Sequence, residues 1–212
     1  MASLTFKAIQ DAVLADAFDE SKRADCKNWI NFRHAWLWDL CEWTFKFATA
    51  TVTFASNSQQ ASGLPADFGI ALVLYDSTGA PVTPVRDFRK FFDHFNANLQ
   101  AGAGSPEAFT VLDGQIFIGP NGDGSTGLLV YERTRPTLVN DSDSTGLPDG
   151  YDLALVHGGK AEGFKLANVP LWQGFDDDFT AAANALQRNY LTGIRGQVGQ
   201  HGAYRPHARQ WR

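Results

Sequence analysis

Between Cys26 and Phe47 the chain reads CKNWINFRHAWLWDLCEWTFKF, and its apolar positions Cys26, Trp29, Ile30, Trp36, Leu37, Leu40 and Cys41 recur at helical spacing. The stretch holds Trp29, Trp36, Trp38 and Trp43 out of six tryptophans in the chain. Near Trp43 the rhythm changes, and Phe45, Phe47, Thr49, Thr51 and Thr53 alternate as they would along a strand. The pattern predicts a helix over about 21–43 that hands over to a strand over 44–55. Upstream, residues 4–18 bring Leu4, Ile9, Val13, Leu14 and Phe18 near one face, with Ser3 placed to cap that helix and Asp19 or Ser21 to cap the next.

Polar turns then punctuate a strand-rich tract. Ser56–Gly63 is a turn, Gly69–Tyr75 an apolar strand, Asp76–Gly79 a turn and Val82–Val85 a short extended piece. Phe88, Phe91, Phe92 and Phe95 predict a short helix over 87–97. Phe109–Leu112 and Gln115–Ile118 flank Asp113-Gly114, the strongest hairpin signal in the chain, and Leu128–Arg133 is expected to pair back onto it. Helical spacing returns at Leu147, where Pro148 fits a first helical position and Asp149 the positive end of the helix dipole. Gly158 and Gly159 predict that this helix, about 148–161, is short or kinked. After Pro170 a long stripe of Trp172, Phe175, Phe179, Ala182, Ala183, Leu186, Tyr190 and Ile194 predicts a closing helix over 171–194, the expected packing partner of the long aromatic one.

The expected fold is therefore α+β. A single domain over 1–196 has a helical body built from N- and C-terminal helices (about 4–18, 21–43, 148–161 and 171–194) and a strand-rich insertion over about 48–147. Residues 197–212, rich in Gly and Arg, form an extended basic C-terminal arm.

Composition sharpens this reading. With 212 residues, 44% of them hydrophobic and 16 of them phenylalanine, the chain can build a core without metals or disulfides. No apolar run of about 18 residues predicts a membrane span, and Met1–Lys7 lacks the basic-then-apolar opening of a signal peptide. Cys26 and Cys41 on one predicted helix would lie about 22 Å apart at ~1.5 Å per residue, far beyond disulfide reach. The net charge is −5, but Phe179–Arg212 contains five arginines and no acid, so the rest of the chain carries −10. Such polarity suits an assembly in which a basic arm meets an acidic neighbour or nucleic acid.

Candidate chemistry is sparse. None of His34, His94, His157, His201 and His207 lies in a HExxH pair or beside a cysteine at metal-ligand spacing, and His34 is expected at the surface or at an interface. No GxSxG or GxxxxGK[ST] element is present and no GxGxxG lies between a strand and a helix; Gly122-Asp123-Gly124-Ser125-Thr126-Gly127 lacks a Lys, opens a strand and reads as a turn. Asp141, Asp143, Thr145, Asp149 and Asp152 fall at positions of a calcium loop, against which stand Pro148 in its middle and Asp rather than Glu at its end. Asp176, Asp177 and Asp178 point about 100° apart on a helix and read as an acidic outer face. In the arm, His201, Tyr204, Arg205, Arg209, Trp211 and Arg212 interleave aromatic and basic side chains, the residue types that anchor interfaces. Trp36, Leu37 and Trp38 are consecutive and cannot all face inward, so Trp38 or Phe32 is expected to contact a neighbouring subunit.

The order of these elements resembles the head-to-tail adaptor (connector) proteins of tailed bacteriophages, including the tail-tubular type. The resemblance runs through the aromatic Glu42–Phe45, the Leu64-Pro65-Ala66-Asp67-Phe68 element, the hairpin ending Ile118-Gly119-Pro120, the strand bearing Tyr131 and Leu147-Pro148-Asp149. It continues in the long closing helix and the tail, so it spans most of the chain as a succession of short motifs. It implies a structural protein with no cofactor, forming a ring, commonly of twelve copies, beneath the portal protein. Double-stranded DNA would pass through its channel without sequence-specific binding, and a downstream tail or neck protein would attach below. It places the protein in the virion neck after assembly in the host cytoplasm, and the arm on the portal. Two competing readings are a calcium-dependent binding module built on Asp141–Asp152 and a small hydrolase with a dispersed site.

Overall fold

The computed structural model describes residues 3–15, 18–96 and 104–198, the side chains of residues 96 and 191–198 excepted. The described residues form α1 (Phe6–Leu14), α2 (Arg23–Asp39), β1 (Phe47–Phe54), β2 (Ala61–Ser62), β3 (Phe68–Tyr75), β4 (Pro81–Pro84), α3 (Phe88–Asn96), β5 (Ala108–Leu112), β6 (Gln115–Gly119), β7 (Thr126–Arg133), α4 (Asp152–Leu166) and α5 (Trp172–Val198). The fold class is α+β, a helical body with a strand-rich insertion. The chain divides into two compact units, one of residues 1–45 with 137–212 and the other of residues 46–136.

In the helical unit α4 is central and packs on α1, α2 and α5. Its glycines make this possible. A Cβ on Gly159 would lie 2.9 Å from Val13 Cγ2, and one on Gly163 would lie 2.6 Å from Phe18 Cζ and 2.7 Å from Trp29 Cζ3. The glycines expected to shorten or kink α4 are instead where its neighbours approach its backbone, and tertiary packing outweighs the ~1 kcal/mol helix penalty of each. The closing helix rests mainly on α4. Its contact with α2 runs through Trp36 and Phe179, whose rings are 5.2 Å apart, and through Arg33 and Asp176.

Several helix ends differ from expectation, each for a local reason. Thr5, not Ser3, caps α1, its hydroxyl accepting from the Ala8 N–H at 3.3 Å. Asp19 accepts from the Ser21 N–H in a single 3-10 turn before α2. α2 stops at Asp39 rather than about 43 because the buried Trp43 indole folds back and donates to the Leu37 carbonyl at 2.9 Å, satisfying one of the acceptors a helix end leaves open. α4 begins at Asp152 rather than Pro148. Pro148–Tyr151 forms a turn closed by the Tyr151 N–H on the Pro148 carbonyl, with Gly150 at φ +87°, which no helix accommodates. Cys26 is buried and its thiol is pushed up to about 12 by desolvation; Cys41 lies beyond the end of α2, and neither forms a disulfide.

The second unit is a sheet of order β2-β1-β7-β3-β4-β5-β6. All its pairings are antiparallel except β4 with β5. Its two outermost strands meet: Gln60 bridges Phe117, and the Ile118 N–H donates to the Gln59 carbonyl at 2.7 Å, so the sheet closes on itself as a barrel. Val52, Phe54, Leu74, Ile116, Ile118, Leu129 and Tyr131 alternate inward and fill it. The Asp113-Gly114 hairpin forms in the expected register, both residues at positive φ. β7 does not return to that hairpin. It lies between β1 and β3, where Gly127 admits the Phe54 ring and the Tyr75 carbonyl into the space a side chain would fill. The helix α3 covers β5 and β6 with Phe91 buried, and Phe92 meets Phe117 edge to face.

Candidate interaction surfaces

The acid-rich segment 141–152 was the one sequence match to a metal site, and its residues serve the start of α1. The first two N–H groups of α1, on Phe6 and Lys7, donate to the carbonyls of Asp143 and Asp141 at 2.9 and 3.0 Å. Asp152 is buried: one carboxylate oxygen accepts from the Leu4 N–H at 2.7 Å and the Ser3 hydroxyl at 3.0 Å, and the other from the Thr145 hydroxyl. Asp143 accepts from the N–H groups of Val139 and Asn140, both at 2.7 Å, and those two bonds hold its carboxyl below the usual carboxylate range. Asp141 faces Lys27 at 3.7 Å, and Asp149 is exposed in the turn before α4. The loop thus supplies acceptors and negative charge to the positive end of α1 and does not gather its carboxylates around a point. Among the described residues no group of three or more His, Cys, Asp or Glu side chains could hold a metal.

His34, expected at the surface or at an interface, is fully buried within the fold, with Nε2 2.9 Å from the Thr145 carbonyl and its ring edge-on to Trp38. The same Thr145 therefore joins α2 and the first turn of α4. A second tie was not legible beforehand. Arg33 NH2 lies 2.7 Å from Glu162 and 2.7 Å from Asp176, with its guanidinium 4.8 Å from the Phe179 ring centre. One arginine pins α2, α4 and α5 together, and its place among aromatics on α2 was the only advance sign of it. Of the acidic triplet, Asp176 turns inward to this cluster, Asp178 sits 3.7 Å from His157, and Asp177 is exposed.

Two motifs of the resemblance meet in the barrel. Asp67, from Leu64–Phe68, accepts from the Tyr131 hydroxyl at 2.9 Å and pairs with Arg133 at 3.3 Å, while its carbonyl receives the Thr134 N–H at 2.8 Å. Burial and the Asp67 bond raise the Tyr131 phenol above its ordinary value. These residues staple the segment entering β3 to the end of β7. Gly119-Pro120, which ends the hairpin, is a cis peptide. The depression of about 370 Å³ lined by Ser58, Gln60, Ser62 and Gln115 carries no ionisable side chain.

What the protein does offer is exposed apolar surface. On α2, Phe32 is 60% exposed, Trp36 43% and Leu40 40%, and their spacing of four residues sets them in one ridge. Trp38 is only 4% exposed, packed against His34 and Phe45, so of the two residues expected at a subunit contact Phe32 alone presents surface. On the barrel, Ile70, Leu72 and Leu128 are exposed on adjacent strands. The arm residues His201, Tyr204, Arg205, Arg209, Trp211 and Arg212 lie outside the described residues. No described helix is long and apolar enough to cross a membrane.

A search of curated proteins returned no match. A family model described as SU10 adaptor protein matches residues 4–210, nearly the whole chain. The chain belongs to the SU10 adaptor protein family and is a structural adaptor of a tailed phage.

Proposed function

We propose that the chain assembles with copies of itself, twelve in the arrangement common among the adaptors it resembles, into a ring under the portal protein. That ring extends the DNA channel and offers the downstream tail or neck protein its attachment site. It belongs to the virion neck, is assembled in the host cytoplasm, and needs no cofactor and no catalysis. The observation that carries this reading is the family match across residues 4–210. Three features support the finer steps. The net charge of −10 outside Phe179–Arg212 suits a wall along which double-stranded DNA slides without adhering. Phe32, exposed on α2, suits contact between neighbouring subunits. His201, Tyr204, Arg205, Arg209, Trp211 and Arg212 suit an arm that grips the portal, where ring symmetry turns many weak contacts into strong attachment.

The test is electron microscopy of the protein mixed with its candidate portal, with and without residues 197–212. The expected result is a ring capping the portal for the full chain and bare portals for the truncated one. Caps of equal occupancy on both would remove the arm from the mechanism. Absence of any cap with the full chain would remove the portal as partner.

A further inference from the structure

The exposed face of α2 has a composition that its place on a folded chain does not explain. Asp25, Asn28, Phe32, Trp36, Asp39 and Leu40 are all exposed and share this face, with Glu42 exposed just beyond the helix end. Its centre is apolar and aromatic, and its exposed charges from Asp25 to Glu42 are all carboxylates, of which Asp25 is already paired with Lys22 at 3.4 Å. Arg33, the cation nearest the ridge, is turned away and held by Glu162 and Asp176. Another apolar tract, Ile70, Leu72 and Leu128 on the barrel, lies near the mutually paired Lys46 and Glu132 and carries no such charge signature.

One segment of this chain is the chemical complement of that face. Residues 199–212 contain Arg205, Arg209 and Arg212 with Tyr204 and Trp211, and no acid. Reach also fits. α5 touches α2 through Asp176 at Arg33 and Phe179 at Trp36, meets Phe45 beyond the end of α2 through Tyr190, and is described as far as Val198. From Val198 back to the level of Trp36 is about 28 Å at ~1.5 Å per residue, and the fourteen residues that follow span up to about 46 Å when extended.

We infer that in the unassembled protein the C-terminal segment 199–212 folds back onto the Phe32–Trp36–Leu40 face of its own α2. Its aromatic rings cover the apolar ridge, and its arginines meet Asp39 and Glu42. The same segment cannot grip another protein while seated there, so a partner that takes the arm also uncovers the ridge. The docking itself does not depend on what that partner is.

The test uses the full chain with p-benzoylphenylalanine in place of Phe32, irradiated and digested, with the cross-linked peptides identified by mass spectrometry. The expected product joins α2 to residues 199–212 within a band of single-chain mass. Its yield falls at least fivefold in Arg205→Glu/Arg209→Glu/Arg212→Glu and in 1 M salt, since exposed ion pairs are screened there. The same photoprobe at Leu171, exposed just before the start of α5, gives no arm product. A dimer-mass band would mean that a second copy covers the ridge, and it overturns the inference. So would cross-links to other segments, or a yield unchanged by charge reversal. None of these outcomes bears on whether portals are capped, so the two proposals fail separately.

Discussion

Gly163→Ala is expected to destabilise the helical unit, against what helix propensity alone dictates. In an isolated helix the change gains ~1 kcal/mol. Here the new methyl would sit 2.6 Å from Phe18 Cζ and 2.7 Å from Trp29 Cζ3, distances that Cβ contacts essentially never show. Both rings are held in turn: Phe18 stacks 5.1 Å from Trp29 and 4.9 Å from Phe164, so neither can swing aside without moving the other. Overpacking of this kind costs about 1–3 kcal/mol. With rigid rings at sub-contact distance the upper half of that range applies, which leaves a net loss of roughly 1–2 kcal/mol after the propensity gain. For a chain of this size the thermal midpoint drops by roughly 2–8 °C. The internal control is Gly174 in the first turn of α5, where an added Cβ meets nothing within 4 Å; Gly174→Ala should hold or raise the midpoint by a few degrees, about 1 kcal/mol at most. Tryptophan fluorescence reads the right unit, because Trp29, Trp36, Trp38, Trp43 and Trp172 lie in the helical unit and residues 46–136 contain none. Equal or greater stability of Gly163→Ala relative to wild type would refute the claim that glycine sets the approach of α1 and α2 to α4.

Two further outcomes follow from the ties around that core. Arg33→Ala leaves Glu162 without its cation in a largely buried site and should cost about 3 kcal/mol or more in urea unfolding. Arg33→Met/Glu162→Met should recover most of that loss, and a double variant no better than Arg33→Ala would show that the ion pair is not what matters there. Asp143 has its folded value lowered by the Val139 and Asn140 N–H groups, so its stabilisation is complete above the unfolded value of 3.8 and drains away as pH falls through the lower folded value. Asp143→Asn should therefore unfold earlier than wild type at pH 7, with the two urea midpoints converging below pH 4; a gap as wide at pH 3 as at pH 7 would contradict this.

Much of the fold was readable because the signals were local. Asp113-Gly114 needed nothing beyond its own turn geometry to set the β5–β6 register. The stripes of α1 and α5, and the alternation of β1, likewise declare themselves within a few residues. What could not be read depended on partners far along the chain. α2 stops where Trp43 reaches back to Leu37, and β7 chooses β1 and β3 because Gly127 makes room for Phe54. The glycines of α4 look like flaws until Val13, Phe18 and Trp29 are placed against them. His34 looks like a surface residue until the Thr145 carbonyl is beside it.

The candidate site shows the same limit more sharply. Sequence periodicity counted Cys26, Trp29, Ile30, Trp36, Leu37 and Leu40 as one broad buried stripe, and it is two. Cys26, Trp29, Ile30 and Leu37 face the core with His34 and Trp38, whereas Phe32, Trp36 and Leu40 face solvent. An apolar residue on a helix carries the same signal whether its partner lies within the fold or arrives later, because both faces obey one period. For an enzyme this ambiguity is broken by a cluster of reactive side chains. Among the described residues no group of three or more His, Cys, Asp or Glu side chains gathers as a metal site would, and an exposed apolar residue is indistinguishable from core until the core is built. The acidic segment 141–152 errs in the opposite direction. It has the composition of a metal loop, yet its carbonyls receive the first N–H groups of α1 and its buried Asp152 holds Leu4 and Ser3. In this chain the charged residues that look functional secure the fold, and apolar residues that look structural, Phe32, Trp36 and Leu40, are exposed.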